Sequence, residues 1–545
     1  MENFRISTQK LNLIHLPTFL LVLGYPLFWV ELFFLDVPQG RTTPLSWILF
    51  FVVSLWTISR SKIQLSEISG LKRAFNSEGV WGKIWILACT SLMVVILGVG
   101  LYAGSLPPHL VQESDVLIYH ITVPRQHLIL SDFTHIPWSV ADLYFLPVDF
   151  ALAPFWLSTP LPNKIPQFLF FLGLMGVIKG IVEKISDKIF YTSWMLIFAL
   201  LGSHMAGIQL GTGMLDLVLA YLFLASVHSF LEKRYFLSAV EFCFYFWSKS
   251  FIPLQIFCAL MLFGVVVWTL KVSSFKNFSW GFGSPMRVGE LSEYTKTFKR
   301  VVICFFTLSI FIAGPFIAKS VTYTGSPLFP FGVGLVQLNP KLDKDTKFWN
   351  LIYMKSEEIL KTKDSYGSSR SAFDFLKHLW LIAVPEKNVN NRYDYPVGLV
   401  YLLAVGPFLF FCTRSFKDKV IPLLPIWTLV CWTLWWFSSQ QSRFLFIPLF
   451  LMYISVFERF PSPSKVLKTA IFVGMLFTAL SVVRAHKADW GKRFVELLRP
   501  QDRVLIDQCH QLSGPQPLVV DFPDVAYADC PVNVQSSDSI FVINP

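Results

Sequence analysis

The feature that most constrains the fold is the recurrence of apolar runs close to 20 residues long, from one end of the chain to the other. A run of this length crosses a hydrocarbon core of about 30 Å as a helix and satisfies its own backbone hydrogen bonds. Hydrophobic residues make up 54% of the chain and charged residues only 15%, which excludes an ordinary soluble globular protein. The sequence therefore predicts an all-α polytopic membrane protein.

Hydropathy predicts about 13 transmembrane helices. They cover residues 16–35, 43–59, 82–104, 165–182, 189–206, 213–231, 235–248, 251–270, 300–319, 395–412, 419–437, 443–457 and 466–483. A fourteenth apolar stretch, residues 140–157, is interrupted by Pro147, Asp149 and Pro154. Whether this stretch crosses the membrane decides on which side every later loop lies.

The distribution of basic residues predicts the topology. If residues 140–157 do not cross and the N-terminus is cytoplasmic, 24 lysine and arginine residues lie in inside segments and five lie in short outside loops. Cytoplasmic loops carry this kind of excess, so the net charge of +11 needs no nucleic-acid partner. A crossing at 140–157 would invert the later loops, and this stretch is therefore predicted to be a re-entrant or interfacial helix on the outer face.

Two regions follow from this topology. Residues 1–483 form the multi-span domain, with long outer loops at 105–164 and 320–394, in the inner (plasma) membrane. Residues 484–545 form an extracytoplasmic C-terminal tail, in which "RVLID", "PLVVDF" and "SIFVI" predict a small strand-bearing appendage. Cys509 and Cys530 share this tail, where an oxidising exterior allows either a disulfide or two free thiols.

The stretch "DVLIYHITVPRQH", residues 115–127, places an acid, a tyrosine and two histidines just after a predicted span. Asp115 would lie where water meets lipid, so its carboxylate can act as a general base or bind a divalent cation beside a phosphate. The alternative is structural. Asp115 would then cap the following helix, and Tyr119 and His120 would belong to an interfacial aromatic belt.

"DVLIYHITVP" resembles the D-x-L-x-Y-H-L-x-x-P signature of bacterial membrane glycosyltransferases of the GT-C superfamily. These enzymes are related to protein mannosyltransferases, aminoarabinose transferases and oligosaccharyltransferases. Further stretches resemble segments of that superfamily in the same order: "GMLDLVLAYLF" with Asp216, "FWSKSFIPL" with Lys249, "TGSPLFPF" at 324–331 and "SRFLFIPLF" with Arg443. All of them fall on the outer face of the predicted topology.

The resemblance implies a GT-C-like fold and an enzyme that moves a sugar, with inversion, from a polyprenyl-phosphate-linked donor to a lipid, glycan or protein acceptor. Asp115 would be the base, Asp216 would position the acceptor or bind a divalent cation, and Lys249 and Arg443 would bind the donor phosphate. The structural alternatives are a helix N-cap for Asp216 and snorkelling to the interface for the two basic residues. No other cofactor is implied.

Four further side chains are predicted to line the substrate pocket: Tyr119, His120, His135 and Asp149. The histidines of the first outer loop are too far apart in sequence to form a metal site without tertiary folding, so a metal requirement stays open. Glu241 lies inside a span, either as a contact within the bundle or as a proton relay.

Two other functions share part of this pattern. A transporter or flippase would explain Glu241, but it predicts several ionisable residues near the middle of the bilayer and broken helices in matched positions. A lipid-linked glycan polymerase or ligase shares the outer-face chemistry. The gathering of polar residues on one face favours a one-sided active site, and hence an enzyme.

Overall fold

The structure is a computed structural model. It describes residues 13–35, 42–60, 75–76, 78–106, 116–136, 140–158, 163–185, 189–273, 275, 277–282, 288–336, 357, 367, 369–383, 393, 396–459, 464–486, 518–519, 533–537 and 540–544. Asp115, Cys509 and Cys530 lie outside the described residues, as does most of the long outer loop at 320–394.

The described chain is built mainly of α-helices. They are α1 (Leu16–Phe34), α2 (Leu45–Arg60), α3 (Val80–Ser105), α4 (Thr122–Leu130), α5 (Pro147–Trp156), α6 (Ile165–Ile185), α7 (Ile189–Leu201), α8 (His204–Gln209), α9 (Asp216–Leu231), α10 (Tyr235–Trp247), α11 (Phe251–Val272), α12 (Val288–Ile312), α13 (Gly314–Thr324), α14 (Ala372–Leu381), α15 (Leu399–Lys417), α16 (Leu423–Phe437), α17 (Phe446–Phe457) and α18 (Lys465–His486). Short helical turns cover Leu13–His15, Val116–His120, Val140–Leu143 and Ser442–Leu445.

Six of the described helices are long and apolar enough to cross a membrane, which supports the membrane class predicted from the sequence. They are α1 with its preceding turn, α3, α6, α11, α15 and α18. Helices α12 and α13 make a seventh if they count as one span, although they are bent by 57°. A helix lies at each of the other predicted spans, but these helices are shorter, so the count of about 13 crossings is not confirmed.

Helix α3 shows how an apolar run forms a helix with one exposed face and one buried face. It is apolar on all sides, and Leu87 and Val94 are exposed on one side while Cys89 and Ile96 are buried on the other. A helix with this pattern can face both lipid and protein. Gly100 lies on the buried side, where an added Cβ would come within 2.3 Å of the Leu210 side chain. Glycine is therefore required for the close approach of the loop that follows α8.

Helix α5 covers the second half of the interrupted stretch at 140–157. Its ten residues are all buried within the protein, and at 1.5 Å per residue it is about 15 Å long, half of a hydrocarbon core. It packs tightly on α1, because an added Cβ on Gly24 would lie 1.9 Å from the Ala151 carbonyl oxygen. The helix alone is too short to cross a hydrocarbon core, and protein surrounds it. That residues 140–157 do not cross stays a prediction.

The helix ends meet in two groups that agree with the sides predicted from charge. At one end, two ion pairs join segments predicted to be cytoplasmic, Lys184–Glu232 at 2.7 Å and Lys468–Glu78 at 3.0 Å. Strands β1 (Asn277–Ser279) and β2 (Val420–Pro422) also pair there, in parallel. Segments predicted to be outside meet at the other end. Which end faces the cytoplasm stays a prediction.

Accessibility labelling tests that orientation. Lys184 and Leu335 are exposed in segments predicted to lie on opposite sides. In a chain with Cys509 and Cys530 replaced by serine, we expect a membrane-impermeant maleimide added to intact cells to label Leu335→Cys and to spare Lys184→Cys. Labelling of Lys184→Cys from outside would reverse the orientation.

The tail contains an antiparallel sheet of three strands in the order β3–β5–β4, formed by β3 (Leu518–Val519), β4 (Asn533–Ser537) and β5 (Ile540–Asn544). β3 and β5 fall in two of the three predicted strands, whereas "RVLID" lies outside the described residues. β4 is polar and was not predicted. It owes its conformation to pairing along its whole length with the apolar β5.

Candidate functional site

Three helix ends build a polar site at the end of the bundle predicted to be outside. Asp216 is the first residue of α9, Lys249 lies in the tight turn between α10 and α11, and Arg443 lies in the short turn that leads into α17. Each of these breaks separates apolar helices. The charged side chains are therefore confined to the ends of the helices, where water can reach them.

Lys249 is the centre of this group. Its Nζ lies 3.3 Å from Asp216 Oδ1 and 5.4 Å from the centre of the Phe444 ring. The Arg443 guanidinium lies over the same ring, also at 5.4 Å. Asp216 is buried, and the positive end of the α9 dipole adds to the stabilisation of its charge by Lys249. Its second oxygen, Oδ2, makes no hydrogen bond among the described residues.

An open cavity of about 140 Å³ lies beside this group. Its lining consists of Tyr119, His120, Tyr144, Phe145, Leu146, Ser248, Lys249, Ser250, Phe251, Pro330, Arg443 and Phe444. This volume is below the range of about 300–1,000 Å³ typical of small-ligand sites, and the cavity opens to the surface. Within this lining the charged side chains are Lys249 and Arg443, and the remaining walls are mostly aromatic. The cavity therefore favours an anion attached to a ring or an apolar group.

Tyr119 and His120 enter the cavity from a π-helical turn, Val116–His120, which is closed by a hydrogen bond of 3.1 Å from the Ile121 amide to the Val116 carbonyl. π-Helical turns occur frequently at functional sites because they change which side chains point into a cavity. Here the two rings lie side by side, 4.1 Å apart.

Asp149 forms a hydrogen bond with the His120 ring. His120 Nδ1 lies 2.6 Å from Asp149 Oδ1, and both side chains are buried. Burial raises the pKa of Asp149, although His120 and Lys249 act in the opposite direction. Asp149 Oδ2 has no hydrogen-bond partner within the described chain. The hydrogen bond fixes the orientation of the imidazole and leaves Nε2 as its other nitrogen.

The structure thus brings together most of the site residues predicted from the sequence. Asp216 pairs with Lys249 beside Arg443, and Tyr119 and His120 line the same cavity. Asp115 lies outside the described residues. The described chain resumes at the next position, Val116, which is buried.

His135 does not belong to this lining and lies in a second buried cluster, centred on Asp142. The Asp142 carboxylate accepts a hydrogen bond from Lys319 Nζ at 2.6 Å. His127 Nε2 and His135 Nδ1 lie 2.6 Å and 3.1 Å from its oxygens. Burial alone would raise the pKa of Asp142, but Lys319 and the two histidines hold it far below its ordinary value. The cluster ties the first outer loop to α13.

Sequence reasoning did not single out Asp142 or Lys319. Lys319 carried a usable signal, because a lone lysine at the end of the apolar run "FIAKSV" needs an anionic partner or access to water. The partner itself could not be identified, since Asp142 is 177 positions away in sequence.

Replacement of Lys319 by methionine is expected to lower the free energy of unfolding by about 3–5 kcal/mol, because it leaves the buried Asp142 charge without its cation. Lys296→Met, at an exposed position of α12, should change it by no more than about 0.5 kcal/mol. Unfolding in mixed micelles measures both values. Equal stability of the two variants would show that the cluster does not hold the outer loop.

Glu241 lies in the middle of α10 and does not line the cavity. Its Oε1 accepts hydrogen bonds from His15 Nδ1 at 2.7 Å and from the Thr18 hydroxyl at 2.9 Å, and its Oε2 accepts one from Ser229 at 2.8 Å. The carboxylate therefore joins α9 and α10 to α1 and to the turn before it. These bonds favour a contact within the bundle over a proton relay.

Among the described residues, no group of three or more histidine, cysteine, aspartate or glutamate side chains could hold a metal ion. Comparisons with family models, with curated proteins and with solved structures give no match. The functional hypothesis therefore depends on the five sequence motifs and on the geometry of the cavity.

Proposed function

We propose that this protein is a membrane glycosyltransferase of the inner (plasma) membrane. It moves a sugar from a polyprenyl-phosphate-linked donor to a lipid, glycan or protein acceptor on the outer face. The single observation that carries the proposal is the cavity, where two cations from separate helix ends are the charged side chains of an otherwise mainly aromatic lining. The same cations belong to two of the motifs that resemble GT-C enzymes.

The phosphate of the donor explains this charge arrangement. A polyprenyl-phosphate sugar carries one negative charge, and its phosphate gains a second as the bond to the sugar breaks. Lys249 and Arg443 line the space where that charge would develop, and preorganised cations stabilise such a transition state more than the ground state. Asp216 keeps Lys249 in place, at 3.3 Å.

A lipid-linked donor also needs a route from the bilayer. Phe251 lines the cavity and begins α11, and the same helix then exposes Leu254, Phe257 and Met261. These apolar side chains form a stripe that starts one turn from the cavity. A polyprenyl chain lying along this stripe would keep its phosphate next to Lys249 while its tail stays in lipid.

The acceptor is activated by Asp115, which precedes the π-helical turn that carries Tyr119 into the cavity. Its carboxylate removes the proton from the acceptor oxygen as that oxygen forms a bond to the anomeric carbon, on the face opposite the phosphate. The bond from the anomeric carbon to the phosphate oxygen breaks, and its electron pair leaves with the phosphate. The configuration of the sugar is therefore inverted.

Mass spectrometry of cell-surface glycans and of lipid-linked precursors tests this function. We expect cells that carry Lys249→Ala, compared with wild type, to accumulate a polyprenyl-phosphate sugar and to lack one sugar on a surface glycan. A polymerase or ligase would instead accumulate a lipid-linked oligosaccharide, and a flippase would leave its substrate on the inner leaflet. Unchanged glycans and precursors would contradict the proposal.

A further inference from the structure

His120 faces the same cavity as the two cations proposed to bind the phosphate. It shares the lining with Lys249 and Arg443, and its charge acts on Asp216, the partner of Lys249. A base for the acceptor would be expected on the other side of the sugar, because attack comes from the face opposite the leaving group. The position of His120 therefore suits a group that acts on the departing phosphate.

We propose, on the basis of the function proposed above, that His120 is a general acid that donates a proton from Nε2 to the departing phosphate, and that Asp149 is its positioning residue. The Nδ1 proton is directed at Asp149 over 2.6 Å, so the tautomer and the ring orientation are set by a buried carboxylate. A carboxylate that orients a histidine in this way also stabilises its protonated form.

The chemistry of the leaving group matches a histidine. The dianion of a phosphate monoester takes up a proton with a pKa of about 6, so the departing phosphate can accept one near neutral pH. Histidine is the side chain that most often acts as a general acid. As the bond from the anomeric carbon to oxygen breaks, the Nε2–H bond breaks and the proton joins a phosphate oxygen. The acceptor proton goes to Asp115, and solvent restores both groups.

Other histidine–aspartate contacts in the described chain lack this placement. His127 and His135 both contact Asp142, but neither lines the cavity, and Lys319 already neutralises that carboxylate. Asp149, in contrast, is bonded to His120 and keeps one buried oxygen without a partner among the described residues. Its carboxyl group is thus directed at His120, the histidine of the described cavity lining.

The test uses the full-length protein in proteoliposomes, with the polyprenyl-phosphate sugars and acceptor membranes of its own cells. For His120→Gln we expect a fall in kcat of about 10²–10³-fold with little change in KM for the donor, because a general acid acts only in the transition state. Asp149→Asn should lower kcat in the same direction. The double variant should be no slower than His120→Gln alone, since the two residues act as a unit.

The pH profile separates this role from a structural one. In wild type, kcat should fall at high pH, because a general acid acts only while it carries its proton, and this basic limb should be absent in His120→Gln. Among the described residues, the titratable and charged groups near His120 are Tyr119, Tyr144, Asp149, Asp216, Lys249 and Arg443. The control His204→Gln changes a buried histidine away from the cavity and should keep the wild-type profile.

Each outcome decides the inference. A wild-type kcat and basic limb in His120→Gln would overturn it. If His120→Gln does not fold, Asp149→Asn carries the test because it keeps the shape of both side chains, and an unchanged basic limb there would also overturn it. Failure of the wild-type protein to release any polyprenyl phosphate would instead count against the proposed function.

Discussion

Replacing Lys249 with alanine is expected to lower the rate of sugar transfer by about 10²–10³-fold, mostly in kcat. The lysine lines the cavity and lies 3.3 Å from Asp216, so its loss removes one of the two cations proposed to bind the leaving phosphate. It also removes the cation that pairs with the buried Asp216 carboxylate. The uncompensated negative charge should weaken binding of the anionic donor. Transfer kinetics in proteoliposomes measure both effects.

Lys271→Ala is the matched control, because Lys271 is exposed at the opposite end of α11 and does not line the cavity. Its kcat and KM should equal those of wild type. Yield and thermal stability of both variants must be compared, since Asp216 loses its partner only in Lys249→Ala. If folded Lys249→Ala transferred sugar at the wild-type rate, the proposed role of Lys249 in the site would be wrong.

Asp115→Asn is expected to reduce transfer by about 10²–10⁴-fold, because the amide has nearly the same shape but cannot take a proton from the acceptor. Binding of the donor should persist, since Lys249 and Arg443 are unchanged. The folded yield should also persist, because the substitution adds no bulk beside the buried Val116. A kinetic assay with saturating donor measures the loss in kcat.

Asp132→Asn serves as the control for this variant. Asp132 is an exposed aspartate of the same outer loop, and its side chain bonds to Thr134 outside the cavity. This variant should transfer sugar at the wild-type rate. If Asp115→Asn also did so, another group would have to be the base.

Much of the site was predictable because its residues lie at helix ends that hydropathy and charge can locate. Asp216, Lys249 and Arg443 each stand alone between apolar runs, and the charge bias assigns all three to one side of the membrane. The prediction that helix ends on one side lie together required no knowledge of the packing. The structure adds the distances and the partner of each charge.

Two features depended on tertiary packing and were not predictable. The pairing of His120 with Asp149 joins residues 29 positions apart through α5, which packs inside the bundle. The Asp142–Lys319 pair joins segments that are more distant still. A hydropathy pattern reports which residues avoid water, but it does not report which polar side chains meet behind them.

Span length was also only partly predictable. The apolar run at 443–457 reads as one span, yet its first residues form a tight turn and the helix proper covers Phe446–Phe457. Several other helices between the long ones are similarly short. Hydropathy averages over such breaks. Those breaks are where the turns carrying Lys249 and Arg443 occur.

The most direct test of the account is the release of polyprenyl phosphate by the purified protein. Proteoliposomes containing it would receive the pooled polyprenyl-phosphate sugars and acceptor membranes of its own cells, and mass spectrometry would follow the lipid. We expect wild type to convert a polyprenyl-phosphate sugar into free polyprenyl phosphate and Lys249→Ala to do so about 10²–10³-fold more slowly. A folded wild-type protein that releases none would contradict sugar transfer at this cavity.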